Sequence, residues 1–277
     1  MSMVAGRRFW KMTGSGNDFV FIDGRTEPFS EFESARVIQP ICRRGTGVGA
    51  DGLVILTEPT NLDADLALTY YNADGSLASL CGNATLCTAS LGVRLGAVEP
   101  GGFGLETGSG VLRARIRAGL PEFDLPAIEG LQQSLAAVRP EGDEIRLGFA
   151  TAGIPHVVIQ VPDVAVSDVF GRGRTIRNDP SFAAGTNVNF VSHSRAGGWK
   201  IRTYERGVEG ETLACGTGSV ATAALLSSWG EIGDDVELET ASGQVVGVRI
   251  DRSPDGVWKA SLRGEGRVVF EGTLGEI

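Results

Sequence analysis

Two cysteines in this 277-residue chain stand where a structural cysteine is out of place. Cys215 lies in GETLACGTGSVATAALL, residues 210–226, and is followed by Gly216, Thr217, Gly218 and Ser219 before an apolar run begins. Cys81 lies in LCGNATLCTASLG and is again followed by glycine, Gly82. A free structural cysteine behaves as a small hydrophobe inside a core. A cysteine just before a helix instead lies beside backbone N–H groups with no partner, and such groups attract anions. A glycine after it lets a ligand approach the main chain. The same position is expected to lower the thiol pKa below its free value of about 8.5. Each Cys-Gly pair could therefore grip a carboxylate and carry a proton.

The surroundings of the two cysteines repeat. LCGNATLCTASLGVRLGAV followed by FGLETGSGVLRARI matches ACGTGSVATAALLSSWGEI followed by VELETASGQVVGVRI. Cys215 comes 134 residues after Cys81, and Leu238 comes 133 after Leu105. A common offset near half the chain reads as duplication. Each copy runs from an extended segment through Cys-Gly into a helix, TLCTASLGVRLG or SVATAALLSSWG. A hairpin follows, turning at TGSG (107–110) or TASG (240–243). DFVFID, DGLVILTE and DLALTYYNADGS read as strands in the first half; PHVVIQV, TNVNFVSH and WKIRTYERG do so in the second. The expected fold is α/β (α+β), with two pseudo-symmetric domains, each a curved mixed sheet around a central helix. The expected domains are 1–121 and 122–264, with a linker near 118–130. The strand about 265–277 is expected to return to the first domain.

Duplicated domains usually pack about a pseudo-two-fold axis, which would set Cys81 and Cys215 on opposite sides of one point. Opposed thiols beside a carboxylate clamp suit inversion of the α-carbon of an amino acid. A thiolate takes the proton from one face and a thiol returns one to the other. Helix-start N–H groups stabilise the charge that develops on the carboxylate, with no cofactor.

The composition restricts the alternatives. A formal charge of −9 argues against nucleic acid or anionic membrane as partner. No apolar run is long enough for a membrane span, and MSMVAGRRFWKM lacks the apolar core of a secretory signal. Four cysteines without a C-x-x-C pair suggest neither a zinc site nor a disulfide scaffold, and a cytoplasmic setting with reduced thiols is expected. The three lysines, Lys11, Lys200 and Lys259, lie outside any phosphate-binding pattern, which disfavours pyridoxal phosphate. GVGADG (47–52) fits G-x-G-x-x-G but precedes a strand, which disfavours a dinucleotide site. Cys87 and Cys42 read as core.

With these motifs in hand, the chain resembles the diaminopimelate epimerases over nearly its whole length. The resemblance rests on GSGNDFVFID (14–23), TGVGADG (46–52), NADGSLASLCGN (72–83) and YERGVEGETLACGTGS (204–219). It implies a cofactor-independent and metal-free epimerase interconverting LL- and meso-diaminopimelate for lysine and peptidoglycan precursors. An alternative on the same fold is a racemase or epimerase of another amino acid. The resemblance implies that Cys81 and Cys215 are the acid/base pair. It implies that the backbones of Gly82, Asn83, Gly216 and Thr217 hold the reacting carboxylate. Asn17, Asn72, Asn187 and Arg206 would read the distal end, where a guanidinium fork suits a carboxylate. Glu205 and His156 would border the amine and the thiols, with Gly52 in support. The partner is a small amino acid, and a homodimer is the assembly considered. Three departures stand out. Ala84 and Leu86 replace the family's glycine and arginine, Ile154 replaces an asparagine before Pro155-His156, and ERGVEGET carries one extra residue.

Overall fold

The computed structural model describes residues 4–194 and 197–276. The chain divides into two compact units, Met1–Phe123 with Arg263–Ile277, and Asp124–Leu262. In the first unit, β1 (Arg8–Gly14), β2 (Asn17–Asp23), α1 (Ala35–Cys42), β3 (Gly52–Thr57) and β4 (Leu66–Asn72) are followed by β5 (Leu77–Ala78) and α2 (Gly82–Arg94). The strands β6 (Phe103–Thr107), β7 (Gly110–Arg117) and β8 (Leu120–Asp124) complete its N-terminal part. The second unit holds β9 (Glu129–Gln132), β10 (Arg146–Ala152), β11 (Ile154–Gln160), α3 (Val169–Arg177), β12 (Asn187–His193) and β13 (Trp199–Glu205). It continues with β14 (Gly210–Thr212), α4 (Gly216–Ser228), β15 (Asp235–Glu239), β16 (Val245–Arg252) and β17 (Trp258–Arg263). The last strand, β18 (Arg267–Thr273), pairs antiparallel with β1 and so belongs to the first unit.

The sheets share one pairing plan. In the first unit β1·β2 is antiparallel, β2·β3 parallel and β3·β4 antiparallel. The far edge of β4 then takes β5 antiparallel at one end and β6 parallel at the other. In the second unit β10·β11, β11·β12 and β12·β13 repeat that sequence, and β13 takes β14 and β15 in the same two ways. The register repeats too: Leu66 pairs with Leu105, and 133 residues later Trp199 pairs with Leu238. Five residues separate Tyr71 from its partner Leu77, and six separate Tyr204 from Glu211. The extra residue of ERGVEGET is therefore absorbed in the turn between β13 and β14, where Glu209 has a left-handed φ of 56°.

The central strands β2, β3, β11 and β12 are buried on both faces, so they read as apolar runs rather than as alternation. Val20, Ile22, Leu53 and Ile55 pack with Ile38 and Ile41 of α1. Leu66 points to the opposite face, where a Cβ on Gly92 of α2 would meet its side chain at 2.7 Å. In the second unit Val157, Ile159, Val188 and Phe190 pack with Ile176 of α3. The alternate residues His156, Asn187 and Asn189 face α4, whose Gly218 would place a Cβ 2.3 Å from the Asn189 side-chain oxygen. The helix α4 is buried from Gly218 through Ser227, and its small residues let it lie close to the sheet on every side.

The stretch expected as a linker, 118–130, does contain the division between the units, at Phe123–Asp124, but it is largely strand, β8 and the start of β9. Phe123, Leu125 and Ile128 are buried there, which ties the segment down. Two helices escaped the sequence reading. Pro40 interrupts the pattern of α1, and α3 carries two glycines in nine residues. Helices α2 and α4 both start three residues earlier than expected, directly after Cys81 and Cys215.

Close packing of β1 on α2 gives a stability test. A Cβ on Gly14 would lie 2.8 Å from both the Asn83 carbonyl oxygen and the Cys87 sulfur. Gly14→Ala should cost about 1–3 kcal/mol of unfolding free energy by urea denaturation, the usual penalty for overpacking. A change within 0.5 kcal/mol, the range of a neutral surface substitution, would show that the helix does not lie this close.

Candidate active site

Both cysteines occupy the N-cap position of their helix, in nearly the same backbone conformation. Cys81 has φ −135° and ψ 114°, and Cys215 has φ −130° and ψ 106°. An extended N-cap turns its own carbonyl into the helix, where the residue four positions on bonds it twice. The N–H and hydroxyl of Thr85 donate to the Cys81 carbonyl, both at 2.9 Å. The N–H and hydroxyl of Ser219 donate to the Cys215 carbonyl at 2.9 and 3.0 Å. Neither cysteine side chain caps its own helix. The N–H groups of Gly82 and Asn83, and of Gly216 and Thr217, therefore open the helices with no acceptor inside them. The sequence carried a signal for these hydroxyls: Thr85 and Ser219 share the offset of the cysteines.

In the first unit, Asn83 is tied to the start of β2. Its amide donates to the Asn17 side-chain oxygen at 2.7 Å, and the Asn17 amide donates to Asp51 at 2.9 Å. Arg44 bridges Asp51 and Asp18 at 2.8 and 2.6 Å, and Lys11 meets Asp18 at 2.7 Å. These charges hold the Asp18 carboxyl at about 2; burial opposes them, and hydrogen bonds from Arg44 and Lys11 prevail. The sequence reading missed this network, because nothing in the spacing links Asp18, Arg44 and Asp51. Asn72 pairs across the sheet with Gly52, and its amide turns onto the Ser76 hydroxyl at 2.9 Å within its own turn. Gly52 is a packing glycine. A Cβ there would lie 2.5 Å from the Tyr70 ring and the Tyr71 carbonyl oxygen.

In the second unit, one asparagine joins several of the named residues. The Asn187 oxygen accepts from the Arg206 backbone N–H at 2.8 Å, and its amide reaches the Cys215 sulfur at 3.7 Å. The Thr217 hydroxyl lies 3.6 Å from the same sulfur. The Arg206 guanidinium donates to the Ala184 carbonyl at 2.8 Å. Glu205 accepts from the Thr212 hydroxyl at 2.8 Å, and burial holds its carboxyl above the usual range. His156 is fully buried. Asn189 donates from its amide to Val157 and toward the His156 Nδ1, and accepts from Thr203, which leaves the ring proton on Nε2. That Nε2 is a buried atom without a hydrogen-bond partner among the described residues.

The expectation of a lowered thiol pKa fails at Cys215. Burial pushes this thiol up to about 12, and the negative charge of Glu205 adds to the rise. The Thr217 hydroxyl, the Gly218 N–H and the Asn187 amide pull in the other direction and do not prevail. Desolvation outweighs the helix start because the residue is only 7% exposed. Cys215 is thus a protonated thiol at neutral pH, suited to giving a proton. Burial also places Cys42 at about 11 and Cys87 well above the ordinary range, as inert core thiols.

The departures are placed clearly. Ala84 and Leu86 are wholly buried, so both are packing residues of α2. Ile154 is the half-buried first residue of β11, the place that Asn17 holds in β2. No cluster of three metal-ligating side chains occurs among the described residues, and no helix there is long and apolar enough to cross a membrane.

The fold is that of amino-acid racemases and epimerases and their structural relatives. A phenazine biosynthesis protein of the PhzF family from Bacillus anthracis is similar with a TM-score of 0.73 at 14% identity, over 97% of this chain and 98% of that one. A hydroxyproline epimerase from Agrobacterium vitis is similar with a TM-score of 0.67 at 16% identity, over 99% and 94%. The family model described as diaminopimelate epimerase matches residues 9–120 and 148–257. The diaminopimelate epimerase of Gemmatimonas aurantiaca is 47% identical over 96% of this chain and 98% of its own length. That of Aquifex aeolicus is 38% identical over 97% and 98%. The chain belongs to the diaminopimelate epimerase family, a family of isomerases.

Two pH effects follow. Alkylation of Cys215 by iodoacetamide, read by peptide mass spectrometry, should keep accelerating above pH 9 towards about 12; a plateau by pH 8 would contradict the buried neutral thiol. His156 is pulled down to about 3, first by burial and then by the charge of Arg206. The unfolded state therefore binds the extra proton between about 3 and 6.5, and stability falls as pH falls through that window. Relative to His156→Gln, the wild type should lose on the order of 3 kcal/mol between pH 7 and 4 in urea titrations. Parallel curves for the two proteins would show that the imidazole stays paired and charged.

Proposed function

We propose that this chain interconverts LL- and meso-diaminopimelate by a two-thiol proton exchange, with Cys81 and Cys215 as the acid/base pair. The observation that carries the reading is the matched pair of N-cap cysteines, each beside helix-start N–H groups. In one direction the Cys81 thiolate takes the α-proton while the Cys215 thiol gives its proton to the opposite face. The electron pair left on carbon is held meanwhile by the α-carboxylate. The two sulfurs end with their protonation exchanged, and the reverse reaction uses them in the opposite roles. The N–H groups of Gly82, Asn83, Gly216 and Thr217 stabilise the charge on that carboxylate. Glu205, whose carboxyl burial holds above the usual range, serves as the carboxylate beside the substrate ammonium. A metal is not part of this reading, nor is pyridoxal phosphate.

Recognition of the distal amino-acid end rests on Asn17, Asn72, Asn187 and Arg206. Ile154 offers no amide where β2 offers Asn17, so Arg206 and Asn187 carry that task in the second unit. A small amino acid suits the acidic chain, whose formal charge is −9, better than nucleic acid does. A cytoplasmic setting fits a chain whose four cysteines are not joined in disulfides.

Cys81→Ser and Cys215→Ser should each lower epimerisation of diaminopimelate by about 10²–10⁴-fold with far-UV circular dichroism unchanged. Either variant retaining more than about a tenth of the rate would remove that cysteine from the acid/base role, because general acid–base groups contribute at least 10².

A further inference from the structure

The turn that carries Arg206 is one residue longer than its counterpart in the first unit, and it contains a charged residue in a conformationally costly backbone state. Glu209 is non-glycine at φ 56°, and it persists there only if its surroundings hold it. Its carboxylate oxygen Oε1 accepts from the Gly207 N–H at 3.1 Å and from the Arg177 Nε and Nη2 at 3.1 and 2.9 Å. Its own N–H donates to the Glu205 carbonyl at 2.8 Å. The Gly207 N–H, followed by Arg177, holds the carboxyl below the usual range, so it is ionised at neutral pH. Arg177 is the last residue of α3, a helix seated on β13 so closely that a Cβ on Gly173 would lie 2.5 Å from Tyr204. The Arg177 guanidinium in turn lies over Gly185, whose left-handed φ of 68° favours glycine.

We infer that the Arg177–Glu209 pair is a positioning device for substrate binding, fixing the enlarged β13–β14 turn so that Arg206 and Asn187 keep their places. The connection is short and continuous. The ion pair fixes Gly207 and Glu209. The intervening turn fixes the Arg206 backbone N–H, and that N–H orients the Asn187 amide towards Cys215. An isolated surface ion pair contributes little. This one is a network of three donors on one oxygen, partly sheltered, with side-chain exposures of 20% for Arg177 and 45% for Glu209. Its effect should fall on the grip of Arg206 more than on proton transfer.

The inference rests on the reading of Arg206 as a ligand for the distal end, and the test separates the two. Michaelis parameters for LL-diaminopimelate are measured for wild type, Arg206→Ala, Glu209→Asn, Arg177→Glu and the charge-exchanged pair Arg177→Glu with Glu209→Arg. Asparagine tolerates the left-handed backbone, so Glu209→Asn removes the carboxylate without adding strain. Glu209→Asn and Arg177→Glu should raise KM roughly three- to tenfold with kcat within about twofold, the signature of lost ground-state binding. The charge-exchanged pair should recover most of the loss, which a merely structural role would not produce. A raised KM for Arg206→Ala with an unchanged KM for both single variants overturns the positioning role alone. An unchanged KM for Arg206→Ala overturns the underlying reading of the distal end. Equal falls in kcat for the single variants, or no recovery in the exchanged pair, also overturn the positioning role.

Discussion

A helix must begin with N–H groups that its own backbone cannot satisfy. In most proteins a serine, threonine, asparagine or aspartate closes that gap. Here cysteine takes the N-cap in both units and does not close it. Everything around the two helix starts follows from leaving those donors open. The cap carbonyl is held instead by a hydroxyl a turn away, Thr85 or Ser219. Small residues follow each cysteine. The sheet beneath is polar where it meets α4, through His156, Asn187 and Asn189, and apolar where it meets α3.

Electrostatics give the two halves different characters. The first unit braces Asn83 through Asn17 and Asp51 on a network of fixed charges, Lys11, Asp18 and Arg44. The second unit buries its polar groups and uses almost no charge near the sulfur except Glu205. Burial there keeps Cys215 protonated, while three donors stand ready to hold the thiolate when it forms. A sulfur with a high resting pKa and preplaced donors suits a proton carrier that is an acid first. The same burial strips His156 of its charge.

Much of this was legible in the sequence because duplication writes the same pattern twice. The strands, the hairpins and the two cysteine-led helices came from runs of apolar and small residues, confirmed by a common offset. The helix starts were misplaced by three residues because Gly216-Thr217-Gly218 reads as loop. Only the structure shows that Gly218 is helical and pressed on Asn189. The helices α1 and α3 were hidden by Pro40 and by two glycines, where packing overrides propensity. Long-range polar links such as Asp18–Arg44–Asp51 and Asn187–Cys215 leave no periodic trace. The sign of the Cys215 shift was misread because a helix start argues for a lowered pKa, and only the fold reveals how deeply the thiol is buried. Leu86 looked like a change at the site and is core.

The central claim is that proton removal and proton delivery belong to two different sulfurs. It is tested most directly by the fate of the α-hydrogen in D₂O at low conversion. LL-diaminopimelate is incubated with the enzyme, and the remaining substrate and the new meso product are separated and weighed by mass spectrometry. Two thiols predict one solvent deuterium in nearly every product molecule and almost none in the unreacted LL pool. Return of the substrate's own hydrogen to the product, or equal deuterium in both pools from the start, would point to a single group serving both faces and would contradict the account.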